Sequence, residues 1–167
     1  AAVRAAFLAA GRVQAALDRL PPATTDPMPL GEAVTRRLEG WLARSGALIP
    51  PVTQAAVRRR VNALLPAFDR APRRPCHRDF GPWNWLVAAP PAIPGEPAAS
   101  VPDSGPIRFT LVDLGHARDD APEADLVKLW DGPWRGTPGA REAFFQGRGR
   151  PLDPAATARL EALAWLH

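Results

Sequence analysis

Asn84 opens one short apolar run, Trp85 to Ala88, and Asp113 closes another, Ile107 to Val112; both runs read as strands, the second richer in β-branched residues. Pairing them as an antiparallel hairpin puts the start of one beside the end of the other, so Asn84 and Asp113 become neighbours. That pairing limits the fold, because nearly everything else in the chain carries the three-to-four-residue periodicity of helices. Val3, Phe7, Ala10, Val13, Leu17 and Leu20 trace a first amphipathic helix ending at Pro21-Pro22, and Leu30, Val34, Leu38, Trp41 and Leu42 a second. Val57, Val61, Leu64 and Phe68 trace a third, with Thr53 as its expected N-cap and Pro66 ending or kinking it. Three more are expected downstream: Pro122 to Asp131 with Asp120 as N-cap, Thr137 to Gln146 with Thr137 as N-cap, and Asp153 to the end. The expected class is α+β, mainly helical, with one short hairpin. Between its strands, Ala89 to Pro106 holds six prolines and two glycines and reads as a mobile surface loop.

The residues around the hairpin carry the chemistry. Cys76-His77-Arg78-Asp79-Phe80-Gly81-Pro82-Trp83-Asn84 supplies an Asp and, five positions on, an Asn; Leu111-Val112-Asp113-Leu114-Gly115-His116 supplies a second Asp. Phosphoryl transfer needs little covalent help from a protein. It needs an acceptor hydroxyl held in line and charge on the phosphates neutralised, which is the work of one carboxylate facing the acceptor and a few oxygen donors for Mg²⁺. Asp79 suits the first task, and the carboxylate of Asp113 with the amide oxygen of Asn84 suits the second.

These blocks resemble the aminoglycoside phosphotransferase and choline kinase-like small-molecule kinases, relatives of the protein kinases. The resemblance rests on H-x-D-x-x-x-x-N, met by His77, Asp79 and Asn84, and on an apolar-apolar-D-x-G strand end followed by a D-L pair, met by Asp113, Gly115, Asp125 and Leu126. It implies a protein-kinase-like C-terminal lobe whose hairpin carries the catalytic and metal-binding loops. Asp79, His77 and Arg78 are the implied catalytic-loop residues, with Asp79 as base and His77 as loop support. Asn84 and Asp113 are implied to bind Mg²⁺ and, through it, the phosphates of ATP or GTP. Asp125 is implied to brace the loop. The implied acceptor is a hydroxyl of a small molecule such as an aminoglycoside or amino alcohol.

A protein kinase is the nearest alternative, since His77-Arg78-Asp79 and Ala121-Pro122-Glu123 are spelled as in that family. Gly81, however, stands where those enzymes carry a lysine, and only seven residues separate Asp113 from Ala121, too few for a peptide-docking segment. Lys128 is the one lysine among 21 basic residues, and it follows both blocks, so it cannot be the upstream phosphate-binding lysine. No G-x-G spacing precedes the loop. The expectation is therefore a single unit, residues 1–167, forming the C-terminal lobe of a longer phosphotransferase whose N-terminal nucleotide lobe is missing. A catalytically inactive kinase-fold fragment or binding module stays open beside it.

Charge and cysteine content exclude several classes. Residues 1–75 hold twelve Arg against five acids and residues 76–167 nine basic against twelve acidic groups, so the net +4 gathers in the N-terminal half. Arg58-Arg59-Arg60 reads as the solvated face of a helix, without a groove-reading motif or zinc-finger spacing, and no nucleic-acid partner is expected. One cysteine allows no internal disulfide, and Cys76, His77 and His116 lack paired zinc-ligand spacing. No apolar run reaches the roughly 18 to 20 residues of a membrane span, and the Ala-rich start, interrupted by Arg4, lacks a signal-peptide core. A cytoplasmic protein without membrane contact is expected. Trp134, after Asp131-Gly132-Pro133, is the one tryptophan expected to line an acceptor pocket.

Overall fold

The computed structural model describes residues 2–24, 26–46, 48–88 and 107–167. It is a mainly helical α+β arrangement with two small antiparallel sheets. Helices α1 (Ala2–Leu17), α2 (Leu30–Ser45) and α3 (Pro51–Leu64) come first, and α3 tightens into a 3₁₀ turn, Leu65–Phe68, where Pro66 removes an N–H from the ladder. Strands β1 (Arg74–Cys76), β2 (Trp85–Ala88), β3 (Arg108–Leu111) and β4 (Arg118–Asp120) follow. The chain closes with α4 (Val127–Asp131), α5 (Pro133–Gly136), α6 (Ala140–Arg148) and α7 (Pro154–Ala164). Among the described residues no helix is long and apolar enough to cross a membrane.

The expected hairpin forms in the expected register. Trp85 faces Leu111 and Ala88 faces Arg108. The sequence reading missed the second sheet, in which Arg74, Pro75 and Cys76 pair with Asp120, Asp119 and Arg118. Neither strand of that pair alternates apolar with polar residues, so its pairing follows from the hairpin and helices on either side rather than from its own side chains. The segment Ala89 to Pro106, expected as a mobile loop, lies outside the described residues.

Three helix starts differ from expectation. Thr53 lies inside the first turn of α3, which begins at Pro51 after Pro50. Asp120 belongs to β4, and the 3₁₀ turn after it, Pro122–Leu126, follows Ala121 without a side-chain cap; Asp120 is instead recruited by arginines. Helix α6 begins at Ala140, not near Thr137, because Gly139 takes a left-handed φ of 75° that breaks the helix before it. At α7 the expectation holds, with the Asp153 carboxylate accepting from Ala156 N–H at 2.7 Å.

The core runs between the helices through Phe7, Leu38, Val61, Phe68, Phe80, Leu126, Phe144 and Leu160, all buried. Helix α1 lies against α6 closely enough that the backbones nearly touch. A Cβ on Gly11 would strike the Phe144 carbonyl oxygen, and one on Gly147 the Leu8 carbonyl oxygen. Two buried ion pairs hold charged groups within this frame. Arg148 and Asp18 meet at 2.7 Å with side chains 4% and 5% exposed, and Arg159 grips Glu123 through two bonds of 2.8 and 2.7 Å. Pairs this buried add little net stability over apolar packing, but removing one partner strands a charge and costs roughly 3–5 kcal/mol.

Candidate active site

The loop from Cys76 to Asn84 is pinned at both ends and in its middle. The Cys76 thiol, its pKa raised by burial, stays protonated and donates toward the Ala121 carbonyl at 3.3 Å. In the middle Phe80, fully buried, stacks edge-on or tilted against His77, Trp85 and Phe144, anchoring the loop in the helical core one residue after Asp79. At its far end Asn84 gives its carbonyl to Val112 N–H at 3.1 Å, one residue from Asp113. The hairpin thus joins Asn84 to Asp113 as the sequence implied.

His77 has a supporting role in this geometry. Its Nε2 donates to the Val112 carbonyl at 2.8 Å and its Nδ1 accepts from Asp79 N–H at 3.3 Å, which fixes the neutral Nε2–H tautomer. One buried imidazole therefore ties the loop of Asp79 to the strand end that presents Asp113. Arg78 takes a left-handed φ of 66°, strained for a long side chain, and the strain is held because its N–H donates to the fully buried Asp125 at 2.6 Å. Burial raises the Asp125 pKa to about 6 against the opposing hydrogen bonds from the Arg78 and His77 backbone. Asp125 braces the loop, as the resemblance implied.

Asp79 is partly exposed, and its two oxygens are unequal. Oδ2 accepts from Asn84 Nδ2 at 2.9 Å and from Trp83 Nε1 at 3.2 Å; among the described residues Oδ1 accepts no hydrogen bond and has the Lys128 ammonium at 3.8 Å. Partial burial works to raise this carboxyl's pKa, but the Trp83 and Asn84 hydrogen bonds and the Lys128 charge outweigh it, and the net shift is downward. Asp79 is therefore an ionised acceptor with one oxygen oriented and the other available. Gly81 explains part of this. A Cβ there would run into the Trp83 ring, so glycine lets the indole fold back and donate to Asp79.

Asn84, buried, commits its amide nitrogen to Asp79 Oδ2 and the Asp79 carbonyl, both at 2.9 Å, which leaves its amide oxygen as a donor atom for a cation. Asp113 is exposed, has a left-handed φ of 61°, and among the described residues accepts no hydrogen bond. One carboxylate and one neutral oxygen are the sparse, hard donor set that Mg²⁺ takes when phosphates and waters complete its shell, so these residues fit that ion. Among the described residues no group of three His, Cys, Asp or Glu converges on a metal position.

Two functional neighbours escaped the sequence reading. Lys128, set aside there as misplaced, reaches Asp79 from α4, and Arg37 from α2 joins Arg78 on the buried Asp120 carboxylate, at 2.7 and 3.1 Å. Their sequence distances of tens of residues from the loop gave no local signal. Trp134, expected to line an acceptor pocket, is half-buried and packs its ring on Phe144 and Phe145 in an aromatic cluster. Arg58 and Arg60 are exposed and pair with Glu39 and Glu161, as a solvated helix face should.

Comparison with known proteins agrees with this geometry. A model described as the phosphotransferase enzyme family matches residues 1–163. No curated protein and no solved structure matches the chain.

Proposed function

Because the chain belongs to the phosphotransferase enzyme family, we propose that it carries the acceptor and metal half of a small-molecule kinase site, with Asp79 orienting the hydroxyl and Asn84 and Asp113 holding Mg²⁺. The observation that carries the reading is the asymmetry of Asp79, whose Oδ2 is engaged by Trp83 and Asn84 while Oδ1 accepts no hydrogen bond from the described residues. A hydroxyl donating to Oδ1 is held facing away from the loop. Its oxygen forms the new bond to the γ-phosphorus of ATP or GTP as the bond to the β,γ-bridging oxygen breaks. The nucleoside diphosphate leaves, and the hydroxyl proton passes to Asp79. Since the Asp79 carboxyl is an acid stronger than usual, proton transfer comes late, and its main work is alignment.

Bound Mg²⁺ would supply charge neutralisation at the phosphates. Within the chain, His77 and Asp125 fix the loop that carries Asp79 and Asn84 against the strand end that carries Asp113. The reading assigns the nucleotide-covering lobe to sequence beyond residues 1–167 of the same protein, and the reaction to the cytoplasm, where ATP and GTP are abundant.

The test is transfer of ³²P from γ-labelled ATP or GTP to a panel of hydroxyl compounds by the protein that carries residues 1–167. Transfer to at least one acceptor, reduced roughly 10²–10⁴-fold in Asp79→Asn at unchanged thermal stability, is expected. Transfer that survives Asp79→Asn undiminished contradicts the assignment, and no transfer to any acceptor favours a binding module instead.

A further inference from the structure

Three cations line one cavity, and one of them stands beside the free oxygen of Asp79. Arg37, Arg78 and Lys128 line a cavity of about 90 Å³ together with Val127, Leu163, Leu166 and the imidazole of His167. The Lys128 ammonium is the link, lining this cavity while standing 3.8 Å from Asp79 Oδ1. A hydroxyl donating to that oxygen would therefore stand beside the ammonium that lines the cavity.

The cations are under-used by the protein. Arg37 gives one hydrogen bond, Nη2 to Asp120 Oδ2, out of the five its guanidinium can donate. Arg78 lies 3.1 Å from the same carboxylate oxygen, yet the contact is misaligned, and its buried Nε is left without a hydrogen-bond partner. Among the described residues, Lys128 donates to no acceptor within hydrogen-bond range. Burial holds the Arg78 guanidinium below its usual basicity; Asp120 opposes this, and the neighbouring Arg37 and Arg118 add to it. A buried donor with no well-aligned acceptor, beside two further cations with donors to spare, leaves room for an anionic acceptor in addition to Asp120. Lysine, moreover, suits this position better than arginine would. A planar fork at this distance would clamp Asp79 bidentately, whereas a compact ammonium leaves Oδ1 open and turns its protons elsewhere.

Size limits the occupant. The cavity is well below the roughly 300 Å³ at which ordinary small-molecule pockets begin, so it holds a charged group and not a whole ring. We infer that the acceptor of this phosphotransferase is a hydroxylated small molecule bearing an oxyanion, a carboxylate or a phosphate, seated between Arg37, Arg78 and Lys128 while its hydroxyl meets Asp79. The inference rests on the reading above and narrows it, because a polycationic aminoglycoside would place like charge against these three side chains.

Inorganic phosphate, titrated calorimetrically without nucleotide, tests the anion site on its own. Binding to the unaltered protein that weakens at least tenfold in both Arg37→Gln and Lys128→Met, and is retained in Asp113→Asn, is expected. Lys128→Met guards against misfolding, since Lys128 neutralises no buried group, unlike Arg37. Absent phosphate binding, or binding indifferent to both substitutions, overturns the inference. In the transfer assay, glycerate and glycerol 3-phosphate should be preferred over glycerol and kanamycin by at least tenfold in kcat/KM, with the preference lost in Lys128→Met. Equal or better use of kanamycin also overturns it. Failure to phosphorylate any acceptor counts against the phosphotransfer reading alone, and the phosphate titration still decides the anion site.

Discussion

The helical frame and the loop pair around Asp79 are built on opposite principles. In the frame, buried charges find partners, as Arg148 does with Asp18 and Arg159 with Glu123, and α1 meets α6 through glycines that leave no room for another atom. Around Asp79, Arg78 and Asp113, the two non-glycine left-handed residues among those described, stand within one connected hydrogen-bond system, and buried atoms such as Arg78 Nε and Asp125 Oδ2 lack partners. Left-handed strain collects where a ligand is expected and is held in place by the frame, whereas unmet buried atoms occur in both regions, Gln14 Oε1 and Trp134 Nε1 among the helices.

Breaking the frame should have the largest effect. Gly147→Val pushes branched carbon into the Leu8 backbone, and since two main chains must separate, the loss should exceed the ~1–3 kcal/mol usual for overpacking. Urea denaturation should show either a large drop in midpoint or no folded baseline, whereas an unchanged midpoint would mean that α1 and α6 are not packed this closely.

At the joint between frame and loop sits Asp125. Its folded pKa, about 6, lies above the ordinary 3.8, so in the pH window between those values the folded state holds a proton that the unfolded chain has lost. The stability this group contributes is complete below pH 3.8 and disappears as pH rises through 6, a change of about 3 kcal/mol. Asp125→Asn should abolish that slope. Gln14 Oε1 and Asp125 Oδ2 are both buried acceptors without a donor, and the new amide offers one, so at pH 7–8 the variant should be at least as stable as the parent. Denaturation midpoints measured from pH 4 to 8 check both statements.

Altering the loop alone should leave stability nearly untouched and move only the chemistry. Trp83 is exposed and lends a single N–H to Asp79 Oδ2. Trp83→Phe removes one of the bonds that depress the Asp79 pKa, so the acid limb of the kcat/KM profile should shift to higher pH while the melting temperature stays constant. An acid limb that does not move would show that the indole does not tune Asp79.

The same contrast explains what could be read in the sequence. Helices α1, α2 and α7 were legible because apolar residues recur with helical spacing and Asp153-Pro154 marks a start. The β2–β3 hairpin and the positions of Asp79, Asn84 and Asp113 were legible because local spacing fixes them. The β1–β4 pair was not, since Arg74-Pro75-Cys76 and Arg118-Asp119-Asp120 have no strand pattern. Gly11 and Gly147 read only as helix-weakening residues, and their role appears when two distant backbones meet. Lys128 and Arg37 reach the site through tertiary packing, which sequence spacing does not encode.

The central claim is that Asp79 and Asp113, brought together from two segments by the hairpin, act as one phosphoryl-transfer unit. A double-mutant cycle on kcat/KM tests it most directly, using Asp79→Asn, Asp113→Asn and the double variant with the best acceptor. Residues that serve one transition state lose their effects together, so the double variant should be little slower than the worse single one. Effects that multiply in full, or singles that retain the parent rate, would contradict the account.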